Sequence, residues 1–282
     1  MRKLNLKFYK YQATGNDFIL IDDRKEILNT KYFNNHFIKN ICTRRFNVGA
    51  DGFIVLRNHE EYDFEMIFFN STGERSTFCG NGGRCIIAFA RDIGIIKNNC
   101  EFIAYDGPHK GIVNKNEISL NMIKPSKVIY NETNKVNYFT IDTGSPHLVK
   151  FCNNINNINV LSEGKKISQL AEFGQHGINV NFIEIKNNKI YIRTYERGDN
   201  MESLSCGTGS VAAALGIYEM YRKKYNYFIN EKSYSLPKMD TNIQINTKAG
   251  ILKINFDYDG QEFSNIWLIG ESLLSYQGSI KC

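Results

Sequence analysis

The sequence lacks a long apolar run and a secretion signal. Its 282 residues contain no stretch of 18 or more apolar residues, the length that a membrane-spanning helix requires. The start of the chain, MRKLNLKFYKYQATGND, has basic residues but no apolar segment of the kind found in signal peptides. We therefore expect a cytoplasmic protein that does not bind membranes.

The cysteines lack the spacing of a metal site. No C-x2-C pair occurs, and Cys79 and Cys85 are too widely spaced for a zinc knuckle. Seven cysteines is an odd count, and without a secretion signal it argues against a disulfide framework. We expect no bound metal and reduced thiols, most of them buried and a few of them reactive.

The positive charge is not clustered. The formal net charge is +6, but lysine and arginine are scattered among asparagine and isoleucine, as in IKNNCEF. Nucleic-acid-binding surfaces combine clustered basic residues with aromatic ones, so we expect no nucleic-acid partner. The net charge favours mild attraction of small anionic molecules.

The chain repeats itself. Thr143 in TGSPHLV follows Thr14 in TGNDFIL by 129 positions, and Gly177 follows Gly49 by 128. The same order continues with two further pairs at offsets of 126 and 127, namely Asn70 with Glu196 and Cys79 with Cys206. Four landmarks in register predict two similar halves. We expect domains at 1–130, with the tail 271–282, and at 131–270.

Strand patterns outnumber helical ones. Apolar and β-branched runs predict strands in both halves: FILID, FIVL, FEMIFF, EISLNM, NVNFIEI, KIYIRTY, GILKINF and IWLIG. Helical spacing occurs in three stretches: NNHFIKNICTRRF, GGRCIIAFARDIG and GSVAAALGIYEMYRKK. The fold class is therefore predicted as α+β, with two similar pseudo-symmetric domains, each a mixed β-sheet wrapped around a central helix.

Each half carries Cys-Gly-x-Gly between a strand and a helix. The first turn of a helix presents unpaired N–H groups and about half a positive charge, which together bind anions. A cysteine at that position has its pKa lowered from ~8.5 to ~3.5–7.5. One motif can thus hold a carboxylate and activate a thiol, although Gly-x-Gly turns and buried cysteines are also common without any function.

Two such motifs facing one cleft suit inversion at the α-carbon of an amino acid. One thiolate would remove the α-proton from one face, and the other thiol would give a proton to the opposite face. The two helix ends would hold the carboxylate and stabilise the developing negative charge.

Six motifs together resemble the diaminopimelate epimerase family: GNDFILID, FNSTGERSTFCGNGGRC, GSPH, GINVNF, YERG and SCGTGSVAAA. The resemblance runs from about residue 8 to about residue 275. It implies a cofactor-independent enzyme, usually a homodimer, that interconverts LL- and meso-diaminopimelate on the route to lysine and peptidoglycan.

The resemblance also implies roles for individual residues. Cys79 and Cys206 match the acid and base, and His147 and Glu196 match the pair that sets the pKa values of the thiols. The remaining matches are positions that bind substrate: Asn16, Asn70, Gly80, Asn81, Asn179, Glu196, Arg197, Gly207 and Thr208. Three departures from the family pattern concern the distal end of the substrate: Ser145 replaces Asn, Gly52 replaces Gln, and the loop 198–205 is one residue longer.

Three alternatives remain open from the residues. A proline-racemase-like or histidine-racemase-like enzyme of the same fold would have a similar site for a smaller substrate. A thiol redox or metal-binding protein would use Cys79 with Cys85. A phosphate-binding or nucleotide-binding module would use the Gly-x-Gly turns, but CGNGGRC contains neither a Walker lysine nor a dinucleotide fingerprint.

Overall fold

The computed structural model describes residues 5–28, 33–76, 78–132, 135–198 and 200–281. Contacts divide the chain into two units, Met1–Asn121 with Gly270–Cys282, and Met122–Ile269. The domain bounds taken from the sequence repeat, 1–130 with 271–282 and 131–270, stay a prediction. Cys282 and Asp199, which belong to the predicted tail and loop, lie outside the described residues.

The described residues of the first unit form seven strands and two helices before the chain enters the second unit. They are β1 (Asn5–Ala13), β2 (Asn16–Asp22), α1 (Asn35–Cys42), β3 (Gly52–Arg57), β4 (Phe64–Asn70), α2 (Gly80–Asp92), β5 (Asn99–Ala104), β6 (Gly107–Asn114) and β7 (Glu117–Asn121).

The second unit contains most of the remaining elements, and the last strand returns to the first unit. They are β8 (Ile129–Tyr130), β9 (Tyr138–Asp142), β10 (Pro146–Phe151), α3 (Val160–Ser168), β11 (Asn179–Lys186), β12 (Lys189–Glu196), β13 (Met201–Ser203), α4 (Gly207–Arg222), β14 (Tyr227–Ile229), β15 (Lys232–Tyr234), β16 (Asn242–Thr247), β17 (Gly250–Tyr258), β18 (Phe263–Glu271) and β19 (Leu273–Lys281).

The sheet of the first unit is mixed. In spatial order its strands are β19, β1, β2, β3, β4, β5, β6 and β7. The pairs β2–β3 and β4–β5 are parallel, and the other neighbours are antiparallel. Each parallel pair is joined by a crossover that contains a helix, α1 for the first pair and α2 for the second.

The sheet of the second unit repeats this plan. Its strands follow the order β8, β9, β10, β11, β12, β16, β17 and β18, with β10–β11 and β12–β16 parallel and the others antiparallel. Each parallel pair is again joined by a crossover that contains a helix, α3 for β10–β11 and α4 for β12–β16. Short additions distinguish this unit: β13 pairs with β12, and β14 and β15 form a hairpin. The predicted α+β fold with two similar halves is confirmed.

The helices that follow the two Cys-Gly-x-Gly motifs form the centres of the units. All residues of α2 from Gly80 to Ala90 are buried, and it contacts β1, β2, β3, β6, β7 and β19. α4 is buried along most of its length and contacts β9, β10, β11, β16 and β17. α4 is mostly apolar, as expected of a core helix, whereas α2 is buried although it contains Asn81 and Arg84. Each large side chain, such as Phe89 at 0% exposure, contributes roughly 1.5–3 kcal/mol by burial.

The other face of each sheet is covered by a smaller helix. In β2, Ile19 and Ile21 pack with Ile38 and Ile41 of α1 in one cluster. In the second unit, Val160 of α3 packs against Val180 and Phe182 of β11 and against further apolar residues. Because successive strand residues point to opposite faces, each strand contributes to both layers.

The predicted strands and the three predicted helices all occur. The helix predicted over 34–46 is shorter, Asn35–Cys42, and the other two begin two residues before their predicted starts. The sequence reasoning missed α3, which has only three buried positions. It also missed strands in both units, among them the nine-residue strands β1 and β19. Among the described residues, no helix is long and apolar enough to span a membrane.

Candidate functional site

Cys79 lies directly before the first turn of α2. Its backbone is extended, with φ −120° and ψ 119°, and its carbonyl accepts the Gly83 N–H at 2.7 Å. The thiol is half-buried. The following N–H groups belong to a helix start and have no intrahelical acceptor. The local structure therefore has the geometry that stabilises a thiolate and binds a carboxylate.

Asn16 and Asn81 are brought together beside this helix start. The Nδ2 of Asn81 donates to Oδ1 of Asn16, and Nδ2 of Asn16 donates to Asp51 at 3.1 Å. The Oδ1 of Asn81 accepts from Arg84 at 2.8 Å. Both amides are thus oriented by the protein. A predicted substrate contact by Asn16 or Asn81 must use the remaining hydrogen-bonding capacity of that amide.

Asn70 ends β4 and organises the turn that follows it. Its Oδ1 accepts from the Thr72 N–H at 3.0 Å, the Thr72 hydroxyl at 2.6 Å and the Glu74 N–H at 3.1 Å. The oxygen is therefore used structurally, and these bonds leave the amide nitrogen as the group suited to a carboxylate ligand.

Cys206 lies before α4 in almost the same backbone conformation as Cys79. Its φ is −115° and its ψ is 115°, and its side chain is 3.5 Å from the Thr208 hydroxyl. The residue is 9% exposed. A Cβ on Gly209 would lie 2.3 Å from Oδ1 of Asn181 and 3.3 Å from the sulfur of Cys206, so only glycine fits beside this thiol.

His147 connects to Cys206 through Thr208. The Nε2 atom of His147 is 2.8 Å from the Thr208 hydroxyl and 3.0 Å from the Ser145 hydroxyl. On the other side of the ring, Asn181 Nδ2 is 3.1 Å from Nδ1. The Asn181 amide is oriented by Leu148, whose carbonyl accepts from Nδ2 at 3.0 Å. Nδ1 of His147 is therefore an acceptor, and the ring proton lies on Nε2, facing Thr208.

The imidazole of His147 is neutral. Its side chain is fully buried, and burial, with a smaller contribution from the positive charge of Arg197, lowers the pKa of His147 to about 3. It can hence act on Cys206 only as a neutral donor through the Thr208 hydroxyl.

Asn179, Glu196 and Arg197 lie at the adjoining ends of β11 and β12. The Oδ1 of Asn179 accepts the Arg197 backbone N–H at 3.1 Å, and its Nδ2 donates to Ser145 at 3.2 Å. The guanidinium of Arg197 donates to the Gly177 carbonyl at 2.8 Å. Glu196 is the last residue of β12 and is half-buried. Ser145, a departure from the family pattern, thus takes part in the same network as His147.

Steric contacts explain why residue 52 is glycine. A Cβ at this position would lie 2.6 Å from the Phe68 ring and 3.0 Å from the Phe69 carbonyl. No side chain fits, so this position makes no side-chain contact with a ligand. In the longer loop, Met201–Ser203 forms β13, and Glu202 is paired with Arg193 at 2.7 Å.

Cys85 points into the core of the first unit. It is 0% exposed, accepts a hydrogen bond from Ser272 at 3.5 Å, and burial raises the pKa of its thiol to about 12. A buried protonated thiol does not suit the redox or metal alternative. Among the residues that the structure describes, no group of three or more His, Cys, Asp or Glu side chains could hold a metal ion.

The sequence reasoning missed Arg84 and Asn181. Asn181 was detectable, because it follows Asn179 by two positions in a predicted strand and so faces the same side. Arg84 was detectable as a charged residue in the first turns of an otherwise apolar helix, GGRCIIAFA.

Comparison with known proteins shows one family across the chain. The model for the family described as diaminopimelate epimerase matches residues 8–128 and 139–273. A diaminopimelate epimerase of Flavobacterium psychrophilum is 42% identical over 277 residues, covering 98% of this chain and all of that protein. Another, of Chlorobaculum tepidum, is 35% identical over 275 residues, covering 95% and 98%.

Solved structures with much lower identity share the fold. A phenazine biosynthesis protein of the PhzF family from Bacillus anthracis has a TM-score of 0.71 at 13% identity and covers 99% of this chain and 100% of that one. A hydroxyproline epimerase from Agrobacterium vitis, with bound trans-4-hydroxy-L-proline, has a TM-score of 0.65 at 12% identity over 99% and 92%. At these identities the likeness concerns the fold alone.

Proposed function

Because the chain belongs to the diaminopimelate epimerase family, we propose that it interconverts LL- and meso-diaminopimelate as a cofactor-independent isomerase of lysine biosynthesis. The observation that carries the proposal is the pair of cysteines, each at the start of a buried central helix, in a chain that matches this family over nearly its whole length.

In the proposed reaction, the two thiols act on opposite faces of one α-carbon. The sulfur of one cysteine, as thiolate, takes the α-proton. The electron pair left on carbon is delocalised into the carboxylate, and the thiol of the other cysteine returns a proton to the opposite face. One thiol and one thiolate are present before and after the step, so no oxidant or cofactor is required.

The helix starts supply the stabilisation of charge. The N–H groups of Gly80, Asn81, Gly207 and Thr208 are proposed to hold the α-carboxylate, on which negative charge increases in the transition state. Each helix end contributes roughly 0.3–2 kcal/mol to an anion. That is far less than the barrier requires, so water must be excluded to strengthen these interactions.

The distal end of the substrate carries a second carboxylate and ammonium group. Arg197 is proposed to bind that carboxylate, since a guanidinium can donate two parallel hydrogen bonds to it. Asn16, Asn70, Asn179 and Glu196 are proposed to complete the contacts. His147 and Glu196 are proposed to tune the thiols. We further propose a homodimer located in the cytoplasm.

The test is proton exchange at the substrate α-carbon in deuterated water, with no pyridoxal phosphate added. Mass spectrometry should show deuterium entering diaminopimelate, together with interconversion of the isomers. Proline serves as the second substrate. Exchange with proline but not with diaminopimelate would favour the proline-racemase-like alternative, and exchange with neither would refute both assignments.

A further inference from the structure

Arg84 is a buried cation without a carboxylate partner among the described residues. It is 0% exposed, and its guanidinium donates to the Thr14 hydroxyl, to Asn81 Oδ1 at 2.8 Å and to the Gly80 carbonyl at 3.5 Å. All three acceptors are neutral, and Nε has no hydrogen-bond partner in the described structure. A charge in such a place requires compensation, because burial removes its hydration.

The nearby acids are already paired with other cations. Asp17 is bound by Lys10 and Arg44, and Asp51 is bound by Arg44. Several other charged groups on α2 and on nearby segments are also paired: Asp92 with Arg91, Asp22 with Arg24, Asp23 with Arg57, His109 with Asp106 and Lys110 with Glu101. Lys7 of β1 lies over the Tyr9 ring. Glu117 of β7 has interactions of its own.

Two thiols remain as ionisable groups that interact with Arg84. Burial lowers the pKa of Arg84 to about 10, so it stays charged at neutral pH, while Cys85 and Cys79 act in the opposite direction. Cys85 is fully buried and stays protonated. Cys79 is half-buried at the helix start, and Arg84 contacts the two residues that follow it, Gly80 and Asn81.

The internal repeat is broken at this residue. Cys206 follows Cys79 by 127 positions, and the residue that follows Arg84 by the same distance is Val211, which is 1% exposed. The equivalents of Thr14 and Asn81 are Thr143 and Thr208. In the second unit the Thr143 hydroxyl donates directly to the Thr208 carbonyl at 2.9 Å, with no guanidinium between the two residues.

We propose that Arg84 is a positioning residue that stabilises the thiolate of Cys79, so that Cys79 carries the negative charge in the resting protein and Cys206 is the protonated partner. At the start of the second central helix, the neutral His147–Thr208 pair lies beside Cys206. The positive charge of Arg197 acts on His147, and its guanidinium donates to the Gly177 carbonyl. The inference deepens the proposed function, on which its catalytic meaning rests, by assigning unequal charge states to the two thiols.

The test is alkylation of each thiol by iodoacetamide as a function of pH, followed by mass spectrometry of the peptides. Cys206→Ser is used to follow Cys79, and Cys79→Ser to follow Cys206, which removes coupling between the two groups. In these otherwise unchanged chains the midpoint for Cys79 should lie below that for Cys206. Equal or reversed midpoints for the two thiols would overturn the proposal, and this result would not require a substitution of Arg84.

Arg84→Gln should then raise the midpoint of Cys79 by about 1 pH unit or more, the shift that an opposite charge at close range produces. Arg84→Lys should restore most of it. The matched control is Arg91→Gln in the same helix, where the arginine is paired with Asp92. An Arg84→Gln protein that folds, as judged by circular dichroism, and keeps the original Cys79 midpoint would refute the proposal.

These measurements do not need turnover. A chain that shows the Arg84-dependent midpoint but does not epimerise diaminopimelate would refute the proposed function and retain the inference. A chain that epimerises diaminopimelate but has equal midpoints for the two thiols would refute the inference and retain the proposed function.

Discussion

Gly209→Ala tests whether the environment of the second thiol is as tightly packed as the structure shows. The added methyl group would lie 2.3 Å from Asn181 Oδ1, where contacts below 3.0 Å force a shift. Asn181 cannot move without losing its hydrogen bonds to His147, to the Leu148 carbonyl and to Thr194. The substitution therefore acts on the network that ends at Cys206.

The chain supplies a matched control, because Gly82 occupies the equivalent position in α2. A Cβ there would lie 3.2 Å from Ile54 Cδ1 and 3.4 Å from Met66 Cε, the ends of flexible side chains. Neither glycine has positive φ, so alanine is compatible with the backbone at both sites.

The expected costs differ clearly. At Gly209, overpacking costs about 1–3 kcal/mol, and leaving buried polar groups unpaired costs about 1–3 kcal/mol more. The higher helix propensity of alanine offsets about 1 kcal/mol of this, so the net loss in the free energy of unfolding is about 3 kcal/mol. At Gly82 the propensity gain offsets a mild contact, and the expected change is within about 1 kcal/mol of zero.

Urea unfolding followed by tryptophan fluorescence and circular dichroism measures both variants, and iodoacetamide labelling reports on Cys206. Gly209→Ala should be destabilised and should show an altered labelling rate at Cys206, whereas Gly82→Ala should resemble the parent chain. Equal stability of the two variants would refute the packing argument.

Four further outcomes are expected. Cys79→Ala and Cys206→Ala should each abolish epimerisation, as followed by chromatography of the isomers, while still eliminating halide from a β-halo analogue; full epimerase activity in either variant contradicts the two-thiol scheme. Cys85→Ala should leave turnover unchanged, because its thiol is buried and protonated; loss of activity in a folded variant would revive the redox alternative. Mild oxidant should inactivate the enzyme and dithiothreitol should restore it, and full activity after exhaustive oxidation would count against close approach of Cys79 and Cys206. Asp17→Asn should destabilise the chain at pH 7 but not near pH 2: burial raises the pKa of Asp17, but hydrogen bonds from Arg44 and Lys10 outweigh it and hold the pKa at about 2. A carboxyl group with a depressed pKa stabilises the folded protein at pH values above its unfolded pKa of ~3.9, and this stabilisation is lost as the pH falls through its folded pKa. A difference in urea midpoints that does not depend on pH would therefore contradict the role of Asp17.

Local patterns predicted the central helices well. The runs after Cys79 and Cys206 are apolar at helical spacing, a pattern that favours helices packed into a core. By contrast, α3 escaped detection because VLSEGKKIS is mostly polar and contains Gly164, which is required there by contact: a Cβ would lie 2.4 Å from Tyr195. That contact joins residues 31 positions apart, so no local pattern reveals it.

The roles of the site residues stay a prediction, and the structure shows only where these residues lie. The matching motifs identified the residues at the two helix starts, and the structure places Asn16 against Asn81 and His147 against Thr208. Asn181 was not identified, although it sets the tautomer of His147.

The sequence by itself determined the family, the duplicated plan and the residues at each helix start, because these depend on residue types at fixed short spacings. Only the tertiary structure decided which polar groups are buried and which partners they meet. It made His147 neutral, left Arg84 without a carboxylate partner in the part of the chain that the structure describes, and excluded any side chain at Gly52. Burial and long-range contact set those charge states and steric limits, and both arise only when distant segments pack together.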